Sequence, residues 1–255
     1  MIMKRVIMVL TRLVTGKRDT TAVGRKPDSC IRITVIMLLA LVSQLMSAQD
    51  VKINSNMVIE ADGTLRLDNA ATVWNDLMVF PDATTKGGSN PPDWGPAFIK
   101  NAAGTSQGVF LWMFSPTTEE ELYFTVQIPH DYKTGSDLYP HVHWTTATGT
   151  PSVSDVVWGL EYTLISVGGG FTNTVIIRSN TLIPSCSPPS GTRQHLISEF
   201  NPIDGTGLGI SAILICRLFR AATDAADTFP NDTGLLGFDF HYEQDTQGSR
   251  EQWTK

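Results

Sequence analysis

Residues 234–242 read Gly-Leu-Leu-Gly-Phe-Asp-Phe-His-Tyr, and their alternation leaves the backbone one regular choice, a β-strand. Leu236, Phe238, Phe240 and Tyr242 fall on one face; Asp239, His241 and, one step on, Glu243 fall on the other. A helical period of 3.6 would scatter the aromatic side chains around an axis. The segment therefore predicts a strand with an aromatic face for a core and a titratable face outside it.

The same signature recurs along the chain. Short β-rich runs at 51–60, 71–79, 109–114, 121–128, 139–145, 155–167, 174–183, 194–199, 211–220 and 235–242 are separated by Gly, Pro, Asn and Asp. In one run Val156, Trp158, Leu160, Tyr162 and Leu164 oppose Val157, Gly159, Glu161 and Thr163. Strands with one apolar face suit antiparallel sheets. About ten of them, without helical crossovers, predict an all-β, antiparallel two-sheet sandwich of jelly-roll type. The long segment 86–108, with Trp94 and Phe98, is expected to be a loop pinned over one end of the sandwich, functional or interface-forming.

The first 48 residues stand apart. A 15-residue apolar run at 31–45 follows a stretch rich in Lys and Arg and ends in Ser47-Ala48-Gln49. It is shorter than the roughly 20 residues that span a bilayer and has the layout of a signal peptide. The expected organisation is an N-terminal extension and signal peptide over 1–48 and a single β-sandwich domain over 49–255. The extension carries eight Lys/Arg and two Asp, so its removal takes the net charge from −6 to −12. So acidic a domain excludes nucleic-acid binding through phosphates and attraction to anionic lipid, so neither nucleic acid nor membrane is an expected partner once the signal is cleaved. Cys186 and Cys216 remain after cleavage; export permits a disulfide between them, and a buried free thiol at Cys216 is the alternative.

The sharpest chemical cluster is His141-Val142-His143-Trp144. In a strand both imidazoles share one face, a spacing by which a sheet offers two nitrogen ligands to a divalent metal. His241 and Glu243 on the C-terminal strand complete the candidate set His141, His143, His241 and Glu243. Gly135, followed after five residues by His141-x-His143, matches the opening of the cupin metal motif, but no Glu follows at the expected distance and no Pro-x-Gly precedes His241. There is no Gly-x-Ser-x-Gly elbow, phosphate loop or His-Glu-x-x-His helix, so no catalytic residue is named and a divalent transition metal is the one cofactor considered. The acidic stretch 224–232 lacks calcium-loop spacing and is expected to be a solvated loop.

Several motifs together resemble a family of tailed-phage and prophage proteins, uncharacterised or virion-structural: Val73-Trp74-Asn75-Asp76-Leu77, the 86–92 turn, His141-Val142-His143-Trp144, Trp158-Gly159-Leu160-Glu161-Tyr162, Cys216-Arg217-Leu218-Phe219-Arg220 and Asp239-Phe240-His241-Tyr242-Glu243. They span about residues 70–255. The resemblance implies a jelly-roll-like virion surface or cement protein without catalysis, a homo-oligomer and, by analogy with other viral jelly rolls, a trimer. The secretory N-terminus departs from that family's pattern and points to a periplasmic, cell-surface or secreted location; without it the expected location is the virion. The leading expectation is a non-enzymatic structural or interaction protein that self-associates or joins other virion proteins. The alternatives are a cupin-like metal-binding protein or enzyme using His141, His143 and His241, and a secreted carbohydrate-binding module stacking a glycan on Trp94 and Trp253.

Overall fold

A computed structural model describes residues 50–95, 98–147, 154–179 and 193–255. The signal peptide expected over 1–48, and Cys186, lie outside these residues. No α-helix occurs among the described residues, and none is long and apolar enough to cross a membrane. Fourteen strands are present: β1 (Val51–Ile53), β2 (Met57–Ile59), β3 (Leu65–Leu67), β4 (Val73–Val79), β5 (Thr85–Lys86), β6 (Asp93–Trp94), β7 (Trp112–Phe114), β8 (Glu120–Gln127), β9 (Tyr139–Thr146), β10 (Trp158–Ile165), β11 (Val175–Arg178), β12 (Leu196–Glu199), β13 (Ile213–Arg220) and β14 (Thr233–Gln244).

All ten runs read from the sequence contain a strand. The run 51–60 is broken by positive φ at Asn54 and Ser55 into β1 and β2. The remaining additions, β3, β5 and β6, have two or three residues, too few to show a period. β6 lies in the segment 86–108 expected to be loop, where it pairs with β7 and Ile99 bridges Val109, and β5 ends on the segment's first residue, Lys86.

The chain divides into two compact units. One includes Val51 and Ile59–Gly63, where Asp50 Oδ1 accepts a hydrogen bond from the Ala61 N–H at 3.1 Å. The other, Lys52–Val58 with Thr64–Lys255, holds the sandwich. Its five-stranded sheet runs β11-β10-β13-β8-β5, and its six-stranded sheet runs β12-β9-β14-β7-β6 with β4 also on β14. The pairs within both are antiparallel. From β7 to β10, and again from β11 to β14, the chain passes from one sheet to the other at each strand, a jelly-roll arrangement.

The core lies between the sheets. Leu122, Phe124, Trp158, Leu160, Leu214 and Leu218 from one meet Phe114, Val142, Trp144, Phe238 and Phe240 from the other, all buried. Phe114 packs edge-on to Trp158 with ring centroids 5.0 Å apart, and Phe124 meets Phe238 at 5.2 Å. Each large apolar side chain so buried contributes about 1.5–3 kcal/mol. Cys216 is a buried free thiol in this core, and burial pushes its pKa up to about 12.

Two local expectations are corrected. The apolar face of β14 begins with Leu235, not Leu236. A bulge between Leu235 and Gly237 inserts one residue, and the inward set becomes Leu235, Phe238, Phe240 and Tyr242. The acidic stretch 224–232 is not simply solvated. The Asp227 carboxylate is fully buried and binds the equally buried Arg220 of β13 through Nε (3.0 Å) and Nη2 (2.7 Å).

Candidate metal centre

Strand order places the candidate site on the outer face of the six-stranded sheet, where β14 lies between β9 and β4. Across β14–β9, Asp239 is directly opposite His141, and His143 is opposite Gly237, which has no side chain to compete for the space. Across β14–β4, His241 is directly opposite Asp76. Directly opposed residues bring their Cβ atoms within about 5.5 Å, so the register alone gathers these groups.

His141 Nε2 lies 2.6 Å from Asp239 Oδ1, and His143 Nε2 lies 3.4 Å from Asp239 Oδ2. The donor atoms of His141, His143 and Asp239 all lie within 4.8 Å of one another, as do those of Asp76, Asp239 and His241. His241 Nε2 is 2.9 Å from Asp76 Oδ1. Four of the five histidines in the chain gather here, because His195, just before β12, sets its Nε2 2.6 Å from His143 Nδ1. The fifth, His130, is held between Ser249 and Ser211. Glu243 shares the outer face but belongs to neither donor set: its carboxylate is engaged by Lys133 Nζ. The structure thus brings together His141, His143 and His241 and puts Asp239 and Asp76, rather than Glu243, beside them.

Burial and charge oppose each other at this site. Asp239 is 6 % exposed and His141 5 %. Burial pushes the Asp239 carboxyl up, but the close approach of His141 and His143 outweighs it and holds the pKa down to about 2. Burial likewise works against a charged His141, yet Asp239 opposite, helped by the Tyr139 carbonyl, leaves its pKa raised. The His195 pKa is lowered, by burial and by the neighbouring His143.

Ring orientation sets the chemistry. His141 Nδ1 lies 3.4 Å from the Tyr139 carbonyl oxygen, which can only accept, so Nδ1 carries the hydrogen. His143 Nδ1 and His195 Nε2 share one hydrogen bond, and when His195 is the acceptor the proton sits on His143 Nδ1. In that tautomer both imidazoles turn Nε2 toward Asp239. A lone pair facing a carboxylate is repulsive unless a cation lies between, either a proton or a metal ion. Although His141 Nε2 is close to it, Asp239 Oδ1 receives no well-directed hydrogen bond and is otherwise unpartnered. Ligands about 2.0–2.2 Å from a tetrahedral ion sit roughly 3.3–3.5 Å apart. The His143–Asp239 distance already fits, and His141 needs a small outward swing. Two His and one carboxylate are a donor set for zinc or non-haem iron, with positions left open.

His141 and His241 border an open cleft of about 450 Å³, lined also by Trp74, Tyr139, Ile197, Glu199 and Phe200, among others. Trp74 packs edge-on to Tyr139 at 5.2 Å. Trp94, expected to stack on a glycan, lies elsewhere, edge-on to Trp112 at 4.7 Å; Trp253 is exposed.

No family model and no curated protein matches this chain. Among solved structures it is similar to dimeric latent PorU from Porphyromonas gingivalis, at 7% identity and a TM-score of 0.28, over 68% of this chain but only 13% of that one. Two carbohydrate-binding modules are also similar. TmCBM61, solved with β-1,4-galactotriose, gives 14% identity, a TM-score of 0.25 and coverage of 68% of this chain and 88% of its own. The non-crystalline-cellulose-specific module CBM28 gives 13% identity, a TM-score of 0.19 and coverage of 55% and 76%.

Proposed function

We propose that this protein binds a divalent transition-metal ion through His141 Nε2, His143 Nε2 and the Asp239 carboxylate. The observation that carries this reading is the convergence of the His141 and His143 Nε2 atoms on one buried carboxylate, all within 4.8 Å of one another. Protein purified without chelator is expected to hold a transition metal, measured by inductively coupled plasma mass spectrometry, and metal-free protein to take up Co2+ in calorimetric titration. His141→Ala with His143→Ala abolishes uptake. A wild-type chain that neither carries nor takes up metal, while folded by circular dichroism, would falsify the proposal.

A second reading, self-association as a structural protein, is supported by the surroundings of the cluster. Trp74, Met78 and Ile197 are 58, 57 and 46 % exposed on the same outer face, and apolar side chains so grouped favour burial against another surface. In this reading the occupant is a second copy of the chain. Light scattering should then give an oligomer whose mass falls on Trp74→Ser with Met78→Ser; a monomer across a wide concentration range contradicts it.

A further inference from the structure

We infer that the metal centre is dinuclear, with Asp239 as the bridging ligand; the inference rests on the metal-binding reading above. β14 is flanked on both sides, so the outward side chains of Asp239 and His241 can be served from two directions. From β9 come His141 and His143; from β4 comes Asp76. Each trio closes to within 4.8 Å, and the two trios share Asp239 alone. A carboxylate has two oxygens, each with lone pairs to spare, so one aspartate can serve two ions. The two trios also touch: the His141 and His241 rings meet edge to face at 4.1 Å.

The independent pointer is Asp239 itself. It is more than nine-tenths buried, and its Oδ1 receives no well-directed hydrogen bond, although His141 Nε2 is 2.6 Å away. A buried carboxylate is tolerated only where cations or donors compensate it, and this one lies among three imidazoles and a second carboxylate. Adding Asp76 to the cluster worsens the negative charge around Asp239 in the absence of metal. That arrangement is reasonable for a site that gathers divalent cations and poor for a hydrogen-bonded surface patch. The two positions differ in access. His141 and Asp239 are buried, whereas the side chains of Asp76 and His241 are nearly half exposed. The ion at His141, His143 and Asp239 is therefore the tightly held one, and the ion at Asp76, Asp239 and His241 exchanges.

The test uses the full chain, Co2+ alone as probe, and the pair Asp76→Asn with His241→Gln, whose exposed positions leave the core untouched. Metal per chain is measured after gel filtration at saturating Co2+, with electron paramagnetic resonance reporting coupling between ions. Wild type is expected to hold two exchange-coupled Co2+ ions; the variant holds one, uncoupled. One ion in wild type, unchanged in the variant, overturns the dinuclear centre and leaves the single-metal reading standing. Two ions in both proteins place the second elsewhere and overturn it as well. No bound ion in wild type removes both.

Discussion

The position of one proton decides whether His143 can bind a metal, and His195 controls it. In the tautomer where His195 Nε2 accepts from Nδ1–H, the lone pair of His143 stays on Nε2, directed at Asp239. Partners that fix a ligand imidazole in this way are worth 10–100-fold in metal affinity. His195→Ala should weaken Co2+ binding about 10-fold by calorimetry with no change in the unfolding temperature of the metal-free protein, since its side chain is exposed. An unchanged affinity removes His195 from the site. The same reasoning from environment to reactivity applies inside the sandwich. With its thiol pushed up to about 12, Cys216 is protonated throughout the neutral range. Iodoacetamide at pH 8 should leave Cys216 unmodified in the native chain and alkylate it in denaturant, as read by peptide mass spectrometry; native alkylation at that peptide contradicts the burial.

Among the strands, β13 is anchored at its end by Arg220, which is fully buried and hydrogen-bonded through all three guanidinium nitrogens. Beyond Asp227, its Nη1 donates to the Asn231 carbonyl at 2.8 Å and its Nη2 to the Phe229 carbonyl at 2.6 Å. Arg220→Ala leaves the Asp227 charge buried without its partner, a change that costs about 3–5 kcal/mol. Urea unfolding should show that loss, and adding Asp227→Ala should recover part of it; equal stability of Arg220→Ala and wild type contradicts this account. None of this was legible at 224–232, because an acidic loop announces its charge but not the arginine that will cover it. Alternation was legible wherever a strand ran for several residues, which is why the sandwich and its aromatic interior could be read directly. The Leu236 bulge was not, since an inserted residue leaves no mark on composition. Half of the site was visible in His141-x-His143 and His241. Asp76 escaped because β4 meets β14 only in the folded sheet. His195 escaped because it stands alone before a short strand, and Glu243 was favoured over Asp239 although Asp239 is the residue in register with His141.

For the molecule entire, a metal that binds only the folded state adds to its stability by mass action. At a free concentration 100-fold above Kd the gain is about 2.7 kcal/mol, which in a domain of this size moves the unfolding midpoint by roughly 5–10 °C. Scanning calorimetry should show a rise of that order on adding Co2+ to metal-free wild type and none in His141→Ala with His143→Ala; equal shifts in both contradict specific binding. The position of β14 has a further consequence, in the order of synthesis. It lies in the middle of its sheet, with β9 along one edge and β4 and β7 along the other, yet the ribosome makes it after every other strand described. Until it emerges, β9, β4 and β7 have no common neighbour, and the edges they leave open are those most prone to pair with a neighbouring nascent chain. Asp239 and His241 arrive on that same strand, so the proposed ligand set of His141, His143 and Asp239 is complete only when the sheet closes.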